Sequence, residues 1–146
     1  LLLALIKSRN KVFGFDTNSS IIDMLCKGEC HLNLWQERFS KEIKPDDNAF
    51  FVANLNKIKR IDVAIICVPT PLNIHGKPDH SFVDEAVRSL SQLNCDPNLI
   101  ILESTVAPGY TRSVAKKFFN SKLYINKGNV HFCFSPERED PGNENF

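Results

Sequence analysis

No stretch of this chain is apolar enough to cross a bilayer. The opening Leu1–Ile6 meets Lys7 after only six residues, far short of the roughly 20 that a spanning helix needs. It also lacks the positive n-region and small-residue cleavage site of a secretory leader. Charge of one sign is missing as well. Eighteen Lys and Arg against 17 Asp and Glu are spread along the sequence for a net charge of +1, so there is no basic stripe to follow a phosphate backbone, and nucleic acid is not expected as a partner. The five cysteines (Cys26, Cys30, Cys67, Cys95, Cys133) are an odd set without disulfide-framework spacing. Cys67 and Cys133 lie in apolar runs and read as small hydrophobes, which points to a reducing, cytoplasmic compartment. Glycine is sparse, and Gly14 and Gly28 form no glycine-rich turn. The segment Cys26-Lys-Gly-Glu-Cys30-His31 offers three soft ligands, but no second ligand pair follows at zinc-site spacing, so no metal is expected. Gly28 reads more simply as a helix stop. His75 and His80 flank a loop and read as solvated.

What is present is a chain of 146 residues, 42% hydrophobic, enough for the core of one domain and too short for a second complete one. Leu1–Ser8 reads as the end of a helix, with Arg9-Asn10 as its stop. Lys11–Phe15 reads as a strand ending at Asp16, and Asn18 or Ser19 caps a helix carrying Ile21, Ile22 and Leu25. Residues 33–44 read as mixed and mostly helical, 45–48 as a turn and Ala49–Ala53 as a short strand, while 54–60 has no clear pattern. Asp62–Val68 and Leu99–Leu102 are continuous apolar runs rich in β-branched residues, as expected of parallel strands buried on both faces. Ser81–Leu93 has a helical apolar face, Pro108–Phe119 reads as a further helix and Val130–Phe134 as a last strand. Strands alternating with helices predict a doubly wound α/β fold with a parallel sheet.

In that architecture ligands sit beyond the carboxyl ends of the strands. Asp16, Pro69-Thr70, Glu103-Ser104-Thr105 and Glu137 all fall at such ends. An acid at the end of the second strand of such a fold accepts hydrogen bonds from ribose hydroxyls and repels a 2′-phosphate, so Asp16 points to NAD rather than NADP. Its plainer reading is a turn or cap residue before a helix. Val68-Pro-Thr-Pro-Leu-Asn73 fixes a loop and exposes backbone groups at a strand end, although a motif of this kind on its own reads as an ordinary proline-rich turn. Thr105 suits the orientation of a water or cofactor group and Glu137 the holding of that water or the shuttling of a proton. Taken singly, each is a cap or surface residue. Their shared location is what suggests a site.

With these residues placed, the sequence resembles the UDP-glucose and GDP-mannose dehydrogenase family, and more closely its branch acting on UDP-N-acetylhexosamines. The resemblance rests on Val12–Asp16, Asp62–Asn73, Pro78-Asp79 with Ser81-Phe-Val83, Leu102–Gly109 and Phe134–Asn143, in that order along the chain. It implies an NAD-dependent oxidation of the C6 alcohol of a UDP-sugar to a carboxylate with two NAD, through a cysteine-linked intermediate. It implies that Asp16 binds the adenine ribose, that Val68, Pro69 and Thr70 border the cofactor, that Thr105 contacts NAD and positions a water, and that Glu137 is the general acid/base. Glu137 and Arg138 would contact substrate, and Arg138 stands where the UDP-glucose branch tends to have an aromatic residue. The family often has Lys or Arg a few residues after the ribose-binding acid, whereas this chain has Ser19, Ser20 and Ile21.

The resemblance further implies that residues 1–146 are a partial NAD-binding domain without its first strand and glycine-rich turn. The central helix, the UDP-binding domain and the nucleophilic cysteine would lie outside the chain, and the full-length protein would be a homo-oligomer. Both ends read as cut, so the isolated chain is expected to be unstable, to bind NAD poorly and to be inactive alone. The rival readings are a UDP-glucose 6-dehydrogenase and a non-catalytic, truncated nucleotide-binding module.

Overall fold

The structure is a computed structural model that describes residues 1–29, 48–123 and 128–136. The helical reading of 33–44 lies outside the described residues, as do Cys30, His31, Glu137 and Arg138. The chain divides into two compact units, Leu1–Ile58 and Lys59–Phe146, each with its own parallel sheet.

In the first unit, helix α1 (Leu2–Lys7) ends at Ser8, whose hydroxyl donates to the Leu5 carbonyl at 2.8 Å. Arg9 follows with φ 62° and turns the chain into strand β1 (Val12–Phe15). β1 pairs in parallel with β2 (Ala49–Val52), Phe13 beside Phe50 and Phe15 beside Val52. Helix α2 (Ser19–Cys26) lies between them in sequence, and its Ile22 is buried. Its end shows why Gly28 is glycine. The amide of Gly28 donates to the Leu25 carbonyl and that of Glu29 to Met24, both at 3.0 Å, with Gly28 at φ 76°. This is the paired closure that a left-handed residue after a helix provides. Residues 54–60, unpatterned in sequence, contain one short 3-10 turn, Leu55–Lys57.

The second unit runs β3 (Val63–Ile66), α3 (Ser81–Ser91), β4 (Leu99–Leu102), α4 (Tyr110–Phe119) and β5 (His131–Phe134). The strands lie in the order β3-β4-β5, all parallel, with Ile66 beside Leu102 and Leu102 beside Phe134. α/β alternation with parallel pairing is therefore observed as expected. The interior of this unit is built from Ala64, Ile66, Ile100 and Leu102 on alternate strand positions and from Val83, Val87, Leu90, Val114, Ala115 and Phe119 on the two helices, all buried.

Among the described residues, burial on both faces of the sheet is not observed. Val63 is 49% exposed, and Ile65, Leu99 and Ile101 are only half-buried. Successive right-handed crossovers running in one direction set their helices on the same face, and α3 and α4 do pack together. The other face of the sheet is less covered. Cys67 and Cys133, which read as small hydrophobes within apolar runs, are exposed: Cys67 follows the last residue of β3, and Cys133 alternates with Phe132 on β5. No helix among the described residues is long and apolar enough to cross a membrane.

Candidate cofactor-binding edge

Asp16 stands where β1 ends. Its Oδ1 accepts the backbone N–H of Asn18 at 2.8 Å, and Asn18 in turn caps α2 by accepting the Ser20 N–H at 3.0 Å. Asp16 is thus the turn residue and Asn18 the cap, so the plainer reading of Asp16 holds locally. That role does not use up the group, because a carboxylate has about four acceptor positions and the turn engages one oxygen. A carboxylate held by the backbone at a strand's carboxyl end fits the recognition of ribose hydroxyls.

In the second unit the carboxyl ends of β3, β4 and β5 emerge in register at one edge of the sheet. The ends are tied to one another beyond the strands. The Glu103 N–H donates to the Ile66 carbonyl at 2.9 Å, and the Ser135 N–H donates to Leu102 at 3.0 Å. Ser104, the one buried polar residue of the described set, donates its hydroxyl to the Val68 carbonyl at 2.7 Å. The Cys67 thiol donates to Glu103 Oε2 at 3.3 Å. Val68, Pro69 and Thr70 therefore leave the sheet beside Glu103, Ser104 and Thr105. Pro69 and Thr105 are exposed, and Val68 and Thr70 are half-buried. Rigid backbone, an exposed hydroxyl and an apolar rim at a strand edge fit a flat aromatic cofactor with polar handles. Glu137 and Arg138 follow the described Pro136 and lie outside the described residues.

Beyond Pro69 the chain is closed on itself. The Asn73 side chain accepts N–H bonds from His75 at 2.9 Å and Lys77 at 3.0 Å, and Leu72 bridges Pro78. His75 is exposed as expected. His80 is not solvated. It is half-buried, its ring lies 4.0 Å from that of Tyr110 between centroids, and its buried Nε2 has no hydrogen-bond partner among the described residues. The cause is Tyr110, which opens α4 against the start of α3.

Tyr110 belongs to a cluster that periodicity did not reveal. Its hydroxyl donates to Asp84 Oδ1, and Lys117 Nζ meets Asp84 Oδ2 at 2.6 Å. Partial burial works to raise the Asp84 pKa, but the hydrogen bonds from Lys117 and Tyr110 outweigh it and hold the carboxyl below its usual value. Burial first, then the bond to Asp84 and its charge, push Tyr110 ionisation up. The stabilisation by Asp84 is therefore present above the ordinary carboxylate pKa of about 4 and fades as pH falls through its lowered folded value. That of Tyr110 is present below about 10 and is lost as pH rises through its raised folded value. Asp84→Asn is expected to flatten the acid limb of stability against pH, read as the denaturation midpoint from about pH 2 to 5. An acid limb identical to wild type would show that Asp84 contributes nothing there.

Residues 1–146 match the family described as the UDP-glucose/GDP-mannose dehydrogenase family, NAD binding domain. The UDP-N-acetyl-D-glucosamine 6-dehydrogenase of Pseudomonas aeruginosa is 32% identical over 140 residues, covering 93% of this chain and 32% of that protein. The protein CapL of Staphylococcus aureus is 30% identical over 138 residues, covering 94% of this chain and 32% of its own length. Among solved structures, the UDP-D-ManNAc dehydrogenase of Pyrococcus horikoshii superimposes with a TM-score of 0.82 at 27% identity, covering 97% of this chain and 34% of that one. The chain thus spans about a third of the length of the relatives it matches.

Proposed function

The chain belongs to the UDP-glucose/GDP-mannose dehydrogenase family, whose NAD-binding domain it matches from residue 1 to 146, and from that premise we propose that it serves an NAD-dependent oxidation of the C6 alcohol of a UDP-N-acetylhexosamine to a uronate. The reaction consumes two NAD, in a reducing cytoplasmic compartment and in a homo-oligomer. NAD, when bound, accepts hydride from the sugar carbon. Asp16 holds the adenine ribose. Val68, Pro69 and Thr70 border the cofactor, and Thr105 touches it and positions a water. Glu137 holds and moves the proton as general acid/base, and with Arg138 it contacts the substrate.

The observation that carries this reading is the locked edge of the second unit. Ser104 on Val68 fixes Pro69-Thr70 and Thr105 side by side at the carboxyl ends of β3 and β4, where doubly wound folds bind their ligands. The curated relatives with UDP-N-acetylhexosamine names support the choice of sugar. A covalent cysteine intermediate belongs to this scheme, because the second hydride leaves a thiohemiacetal before water releases the acid. Its cysteine is assigned to none of the five in this chain.

The test is a panel of UDP-sugars with the full-length protein, followed by NADH absorbance. Two NADH per UDP-N-acetylhexosamine are expected. One NADH per sugar would overturn the four-electron oxidation, a preference for UDP-glucose would move the protein to the neighbouring branch, and no turnover with any sugar would leave a binding module.

A further inference from the structure

The connection from β4 to α4 carries Thr105, and both of its ends are tied to the preceding crossover. At the near end, the buried Ser104 hydroxyl is bonded to the Val68 carbonyl at 2.7 Å. At the far end, Gly109 precedes α4 in the left-handed region at φ 86°, and the Tyr110 N–H closes a turn onto Ala107 at 3.0 Å. Tyr110 then reaches across to Asp84 on α3, with its ring over His80, and Lys117 on the same helix holds the second Asp84 oxygen at 2.6 Å. Asp84, in the first turn of α3, thus receives two donors from α4, one from its first residue Tyr110 beside the loop and one from its last turn. A loop anchored at one end samples many positions, and the ordering it lacks must be supplied when a ligand binds. Anchored at both ends, it presents one surface.

We infer that Tyr110 and Asp84 are positioning residues that act through Thr105, holding the far end of its loop so that the Thr105 hydroxyl meets the cofactor in a single place. This rests on the proposed function and deepens it. The clasp is specific in its location. A different tie, Lys122 to Asp96 at 2.8 Å, lies past the C-terminal end of α4 and anchors no part of the 105–109 loop.

The experiment is a double-mutant cycle on NAD affinity in the full-length protein, measured by titration calorimetry. Tyr110→Phe is expected to raise the NAD dissociation constant about three- to tenfold, the range to which the net contribution of an ordinary hydrogen bond converts. In a Thr105→Val background the same change is expected to have little further effect, because residues that act through one another are not additive. Asp84→Ala cuts the same tie from the other side and should repeat the pattern, which covers a Tyr110→Phe variant that fails to fold. Asp96→Asn is the control: it should lower thermal stability and leave NAD affinity unchanged. Equal effects of Tyr110→Phe in both backgrounds, or no effect in either, would overturn this inference alone. Absence of NAD binding by the wild type, or a Thr105→Val variant that binds as well as wild type, would overturn the functional reading and this inference with it.

Discussion

Asp16→Asn in the full-length protein is expected to weaken NAD binding about tenfold and to let NADP compete. The substitution is chosen for what it preserves. Asparagine keeps an Oδ1 to accept the Asn18 N–H, so the turn from β1 into α2 and the cap at Ser20 should stand. What it removes is charge. Hydrogen bonds to an ionised acceptor are roughly twice as strong as neutral ones, a difference near 1.4 kcal/mol, or about a factor of ten. The same charge repels a 2′-phosphate, so its loss should narrow the preference for NAD over NADP. Calorimetric titration with both dinucleotides decides it. Unchanged affinities with an intact α2 would reduce Asp16 to a turn residue.

The largest loss of stability is expected from Phe119→Ala. Phe119 is 1% exposed at the end of α4 and is among the largest fully buried side chains of the described residues. Removing its ring forfeits the transfer free energy and leaves a cavity, together about 3–5 kcal/mol. That approaches the whole stability of many domains, roughly 5–15 kcal/mol. Because the full-length protein need not unfold in one step, the readout is local: amide exchange in β4 and β5 should accelerate by roughly two to three orders of magnitude, with the exchange of β1 and β2 little changed. Acceleration spread evenly over both units would show that they do not open separately.

The elements were readable where a short run had one interpretation. Leu99–Leu102, bounded by turn residues and made of branched aliphatics, is a strand to the residue. Helix α4 begins at Tyr110 rather than Pro108 because Gly109 takes a left-handed conformation that no propensity scale places. Burial was harder to foresee. An apolar strand sequence states that both faces tolerate burial, not that both are covered, and Val63 and Cys133 show the difference. The candidate site was legible in part. Strand ends marked Pro69-Thr70 and Thr105 because topology alone assigns ligands to that edge. The fastenings behind them were not legible: Ser104 to Val68, Cys67 to Glu103, and Asp84 to Tyr110 and Lys117 join residues 26 to 36 positions apart. Helical and strand periods describe neighbours within an element and are silent about which side chain meets which across a crossover. His80 was misread for the same reason, since the ring of Tyr110, 30 positions on, packs against it.

Every strand pair described is parallel, and a long connection separates the two members of each: β2 starts at Ala49 after β1 ends at Phe15, β4 at Leu99 after Ile66, β5 at His131 after Leu102. A hairpin forms as soon as its turn is made, whereas a parallel pair waits for a whole crossover. On the ribosome, adding residues at about 5–20 per second, each first strand is exposed for a few seconds before its partner has been synthesised. During that interval the side of Val63–Ile66 that β4 will occupy is apolar and unpaired. The order of synthesis therefore leaves the first strand of each pair open to wrong partners, a hazard that precedes any question of cofactor.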